Sequence, residues 1–312
     1  MQNFIVTINI ILPTFFMIAL GYLLTQIKMF DDHTLKIMNN ITFKIFLPAS
    51  LFYNVYSTDL NQSFNPKLMI YAASSIIISF FIAWFIVPRL ESDNNKKGVI
   101  IQGIFRSNFV LFGMPISIAI FGTQFAGTPS MLISVIVPIF NFLAVIILEV
   151  YRGNKISYGK IIKGIVTNPL ILASILGLIF AAIKIKLPTS IDTGVQDLSK
   201  IAMPLALIIL GGSFHFNSIN ESKVQLIWTV IGRLIVVPGV FIQLAVFLGF
   251  RGIELGTLIV MFAAPTAISS FTMAEQIEAD SKLAGNIVVF TSTCAIVTMF
   301  FWIYITKQLG LI

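Results

Sequence analysis

The stretch Arg106-Ser107-Asn108-Phe109-Val110-Leu111-Phe112-Gly113-Met114-Pro115 sets an arginine, an asparagine, a glycine and a proline into an otherwise apolar run. A second stretch, Ala263-Ala264-Pro265-Thr266-Ala267-Ile268-Ser269-Ser270-Phe271-Thr272, places a proline ahead of a series of hydroxyl side chains. Proline removes a backbone donor and clashes with the preceding turn, while a nearby glycine permits unusual dihedrals. Each stretch therefore predicts a helix divided into two halves, with Gly113 and Pro115 making the first gap and Pro265 the second. Amides freed at a gap, together with the positive end of a half-helix, bind an anion without a lysine or arginine. The plainer reading is a proline kink; the recurrence of the pattern at matching places in the two halves of the chain favours the gap.

Several side chains could work at such gaps. Asn108 lies seven residues before Pro115, about two turns, and either turns its amide to a ligand or bonds a neighbouring helix. Arg106 either meets a carboxylate bidentately or reaches back to the cytoplasmic interface. Asn141, beside Pro138, is open to the same two readings as Asn108, and Thr266 and Ser269 lead the hydroxyl series after Pro265. Arg233 and Lys44 are further embedded cations, whereas Glu149 and Glu254 lie near helix ends and the other acidic residues fall in loops. Cations without anions favour an anionic substrate and disfavour a buried carboxylate proton relay or a carboxylate-rich sodium cage. His33 and His215 are both near loops, and no HExxH, CxxC, P-loop or GxSxG pattern occurs. No enzyme, cofactor or metal site is expected, and Cys294 reads as a packing residue.

The elements that must position these groups are membrane helices. Of 312 residues 57% are hydrophobic and 11% charged, against about 25% charged in ordinary soluble domains. Ten apolar runs, 4–26, 35–57, 67–88, 98–121, 129–151, 161–183, 198–215, 223–249, 254–274 and 283–306, are of the order of the 20 residues a bilayer crossing needs. The first run lacks a positive leader and a small-residue cleavage site, so it reads as a retained helix. Pro13, Gly21 and Pro48 recur as Pro169, Gly177 and Pro204 at one offset of 156 residues. Halves 1–155 and 156–312 then hold five spans each, and an odd number inverts the second half, the plan of many secondary transporters. Loops after odd-numbered spans carry eleven cations: Lys28, Lys36, Arg89, Lys96, Lys97, Arg152, Lys155, Lys160, Lys163, Lys223 and Lys282. The other side carries six: Lys67, Lys184, Lys186, Lys200, Arg251 and Lys307. The positive-inside rule places both termini outside. Membrane topology accounts for the net charge of +7 without a nucleic-acid partner.

The text "NFVLFGMP", an Asn-x4-Gly-x-Pro pattern, closely resembles the fourth helix of the auxin efflux carrier family, which includes plant PIN-FORMED auxin transporters and bacterial malate permease-type carriers. "AAPTAISSFTMAEQ" looks like the ninth helix of that family, and "ALGYLLTQIKMFDDHTLKIMNNITFKIFLPASLF" like its start, so the likeness runs over essentially the full length. The resemblance implies an all-α polytopic protein of ten spans, with spans 1, 2, 6 and 7 as scaffold and spans 3–5 and 8–10 as a transport unit. Spans 4 and 9 would cross at their breaks, hold a small organic anion there, and move as an elevator in a homodimer. Carried across by residue, it points to Asn108, Gly113, Pro115 and Pro265. The chain lacks the long loop between spans 5 and 6 of many plant members, and Arg106 is not a plant-type feature, which puts a malate-like carboxylate ahead of auxin. A sodium-coupled symporter of the bile acid type, sharing the crossover plan, is the alternative. The expected setting is the plasma membrane.

Overall fold

The computed structural model describes residues 2–57, 65–122, 127–152, 158–214 and 217–312. His215 and Lys155 lie outside the described residues. Each apolar run coincides with a helix or a helix pair. These are α1 (Gln2–Gln26), α2 (Asp32–Ile41) and α3 (Leu47–Tyr56), α4 (Pro66–Leu90), α5 (Asn94–Phe105) and α6 (Phe109–Phe121), and α7 (Gly127–Val150). The second half gives α8 (Tyr158–Val166) and α9 (Pro169–Ala182), then α10 (Thr189–Gly212) and the short α11 (Asn217–Glu221). It ends with α12 (Lys223–Ile231) and α13 (Val237–Phe247), α14 (Gly252–Ala263) and α15 (Ser269–Gln276), and α16 (Ser281–Gln308). Among the described residues, five helical stretches are long and apolar enough to cross a membrane: Pro66–Leu90, Gly127–Val150, Thr189–Gly212, Lys223–Phe247 and Ser281–Gln308. The seventh run is longer than its apolar text, since α10 opens nine residues earlier in a polar turn at Thr189.

Local chemistry sets the helix starts. Asn65 and Asn168 accept hydrogen bonds from the amides of Leu68 and Leu170, and each is followed by a proline at the first helical position, where its missing N–H costs nothing. Asp31, Asp93 and Asp280 cap α2, α5 and α16 in the same way. Two helix pairs are continuous through a π segment, Thr42–Phe46 between α2 and α3 and Gly232–Val236 between α12 and α13. The prolines that match at the 156-residue offset differ in setting: Pro13 and Pro204 lie within helices, whereas Pro48 and Pro169 sit in the first turn of theirs.

The matching glycines occupy equivalent contacts. A β-carbon on Gly21 would lie 1.9 Å from the carbonyl oxygen of Ile208, and one on Gly177 2.9 Å from that of Phe52. Ile208 stands 156 residues after Phe52, as Gly177 does after Gly21, so α1 meets α10 as α9 meets α3. Glycine is required there because two backbones touch. The main core gathers Phe80, Phe105, Phe109, Phe112, Ile136 and Phe262 among α4–α7 and α14. A smaller seam of Leu35, Leu207, Leu210, Ile268 and Phe271 joins α2, α10 and α15. Outward faces are apolar as well: on α4 alone Ile70, Phe81 and Phe85 are exposed, as lipid-facing surfaces require.

Candidate functional site

Two of these elements are interrupted in mid-course, α5–α6 at Arg106–Asn108 and α14–α15 at Ala264–Ile268, and the interruptions cross each other. Ser107 and Thr266 pair as an isolated antiparallel bridge, and the Asn108 amide donates to the Pro265 carbonyl at 2.8 Å. The side chains repeat this exchange. Ser107 Oγ donates to Met261 O at 2.7 Å, and Thr266 Oγ1 to Gly103 O at 2.8 Å, so each gap supplies a hydroxyl to the carbonyl end of the other helix. The Thr266 amide in turn donates to Thr291 Oγ1 of α16 at 3.2 Å.

The last carbonyls of α5 and α14 have no partners within their own helices, as at any helix C-terminus. Arg233, fully buried in the π segment of the α12–α13 pair, supplies them. Its Nε donates to Ala264 O at 2.9 Å, Nη2 to Met261 O and Phe262 O at 3.1 and 3.0 Å, and Nη1 to Ile104 O and Phe105 O, both at 3.3 Å.

On the other side of the crossing lie the N-termini of α6 and α15, neither of which carries a side-chain cap. Arg106 extends here. It is 2% exposed, and its Nη1 donates to Gln102 Oε1 at 3.1 Å and touches the Met273 sulfur. Its Nη2 donates to Asn141 Oδ1 and to Ser269 Oγ at 2.5 and 2.8 Å. All four partners are neutral, and the ion pairs among the described residues, Arg152–Glu149 and Lys200–Asp197, do not involve it. Arg106 Nε, Asn108 Oδ1, Ser270 Oγ, Thr272 Oγ1 and Asn39 Oδ1 are all buried without a partner inside the protein. Buried polar groups are ordinarily satisfied, so the open Nε of Arg106 and the open hydroxyl of Ser270, whose carbonyl meets the same Gln102 that serves Arg106, suit a polar ligand. Asn39, from α2, also donates to Thr272 O at 3.3 Å, and Gln102 Nε2 to Ser270 O at 3.2 Å.

Of the residues singled out by sequence, Arg106, Asn141 and Ser269 meet directly, and Asn108, Pro265 and Thr266 meet across the bridge. Arg106 does not reach back to an interface. Gly113 and Pro115 do not form the first gap; they lie inside α6, and the chain leaves helical geometry at Arg106–Asn108. The physical reason is that Ser107 and Asn108 exchange intrahelical bonds for bonds to α14 and the Pro265 carbonyl. Pro115 removes one donor from α6 without opening it, and Gly113 makes room for the Phe109 ring, 2.7 Å from where a β-carbon would stand. Lys44 and His33 are exposed. Among the described residues no three His, Cys, Asp or Glu side chains gather. Gln102 and Asn39 were not singled out, although Gln102 stands one helical turn before Arg106, whereas Ser270 and Thr272 belong to the hydroxyl series of the second stretch.

A family model described as membrane transport protein matches residues 6–303. An uncharacterized transporter of Methanocaldococcus jannaschii is 22% identical over 95% of this chain and 98% of its own length. A Rhizobium meliloti protein described as a candidate malonate transporter is 21% identical over 96% of each.

Proposed function

The chain belongs to the membrane transport protein family, that of the auxin efflux carriers, and from this premise we propose that it is a secondary carrier of small dicarboxylates of the malate and malonate kind. The observation that carries this reading is Arg106, buried among neutral partners with no carboxylate among the described residues to balance it. A helix N-terminus is equivalent to roughly half a positive charge. Two of them and one guanidinium then amount to about +2, the complement of a dianion. Open hydroxyls on Ser270 and Thr272 offer hydrogen bonds beyond the charge. The similarity to a candidate malonate transporter points to the same substrate class.

The transport cycle follows alternating access. The reciprocal Gly21 and Gly177 contacts support two inverted repeats, 1–155 and 156–312, giving ten spans. Spans 1, 2, 6 and 7 serve as the scaffold, and spans 3–5 and 8–10 carry the crossing as an elevator. Homodimerisation, the plasma membrane and outward-facing termini complete the proposal, on the strength of the family likeness and the loop charges. The test is uptake of radiolabelled malonate and malate into proteoliposomes. Wild type should show saturable uptake, and Arg106→Gln should lose it by about 10- to 100-fold, since a hydrogen bond to a charged group is worth about 1.5–3 kcal/mol. Undiminished uptake by Arg106→Gln, or no dicarboxylate flux in wild type, would overturn the assignment.

A further inference from the structure

Arg233 stands where an ion could. Carrier folds with divided helices hold their coupling cations on half-helix C-termini and unwound carbonyls, and carbonyl rings replace a cation's hydration shell in ion filters. Here five such carbonyls, of Ile104, Phe105, Met261, Phe262 and Ala264, converge on one guanidinium at 2.9–3.3 Å. The charges balance: two helix C-termini amount to about one negative charge, and Arg233 brings one positive. Among the described residues no anionic side chain shares the guanidinium, whose five acceptors are all backbone carbonyls. The set therefore matches a monovalent cation in charge and in donor type. A structural clamp alone would equally have been met by a neutral donor.

We propose that Arg233 is a tethered cation filling the carbonyl cage at the crossing, so that the protein binds and moves its anion without any alkali cation. The transport arm of this inference rests on the carrier reading above; the stability arm does not. The purified full-length chain is unfolded thermally in choline, sodium, potassium and lithium chloride at equal ionic strength, as wild type, Arg233→Ala and Arg233→Lys. Wild type and Arg233→Lys should be indifferent to the choice of cation. Arg233→Ala, its cage emptied, should be stabilised by one of the alkali ions, by a factor of about 100 in the folding equilibrium at 100 times that ion's dissociation constant. A wild type stabilised by an alkali ion overturns the proposal, as does a folded Arg233→Ala that ignores all three. If Arg233→Ala does not fold, the wild-type arm decides, together with uptake: equal malonate uptake in choline and sodium media supports the proposal and uptake lost in choline overturns it. Absence of uptake in every medium refutes the carrier reading instead and leaves the cation titration to judge Arg233.

Discussion

Ser107 and Thr266 perform matching tasks with unequal consequences. Met261 O, which receives Ser107, also receives Arg233, whereas Gly103 O depends on Thr266 among the bonds made across the crossing. Thr266→Val should therefore destabilise by about 1–3 kcal/mol, the cost of a stranded buried acceptor, and Ser107→Ala by only about 0.5–1.5 kcal/mol. Thermal unfolding of both variants checks the order; equal losses would show that the two carbonyls are equivalently served. Pro115 gives a sharper contrast with the sequence. Because it lies inside α6 and not in the gap, Pro115→Ala should leave malonate affinity unchanged in a direct binding assay. Arg106 was recognisable as an embedded cation, but its neighbours Asn141 and Ser269 lie 35 and 163 residues away along the chain. Pairings of that range leave no local trace, which is why two readings of the side chain stood open.

At the level of helices, the contacts through glycine rank themselves. A methyl group on Gly21 would overlap the Ile208 carbonyl oxygen at 1.9 Å, and one on Gly211 the Ile18 oxygen at 2.0 Å, whereas Gly177 leaves 2.9 Å to Phe52. Backbone cannot turn aside as a side chain does, so Gly21→Ala and Gly211→Ala should cost the upper part of about 1–3 kcal/mol or more, and Gly177→Ala less. Comparative unfolding in detergent measures this. The apolar helices were legible because a bilayer crossing demands a fixed apolar length; the interruption of α14–α15 was legible from Pro265, and that of α5–α6 from its polar insertion although not from Pro115. The place of the first interruption was not, because Ser107 and Asn108 leave the helix for partners more than 150 residues away. The π segments at Thr42–Phe46 and Gly232–Val236 share one signal, a proline two residues past the end of each, Pro48 and Pro238, whose missing N–H frees a carbonyl in the turn before it. The sequence reading did not draw on that signal, although the second segment presents the guanidinium that closes two helix ends.

Over the molecule as a whole, a hydrogen bond from Asn39 of α2 to the Thr272 carbonyl of α15 joins the proposed stationary and moving parts beside the site. In a Cys294→Ser background, the pair Asn39→Cys and Thr272→Cys should keep reduced uptake, since both residues border the site, and a mercuric bridge between them should stop what remains until a dithiol removes the ion. Uptake that continues after bridging would show that these two surfaces do not slide. The unbalanced guanidinium of Arg106 has a further, electrical consequence. A site that is positive when empty and neutral when holding a dianion carries different charge on its two strokes, and a charge crossing the membrane field exchanges about 2.3 kcal/mol per 100 mV. The empty stroke, not the loaded one, should then feel the membrane voltage. An inside-negative potential would draw the vacant site inward and favour export, and rapid-mixing recordings on planar membranes should show a transient current that malonate suppresses.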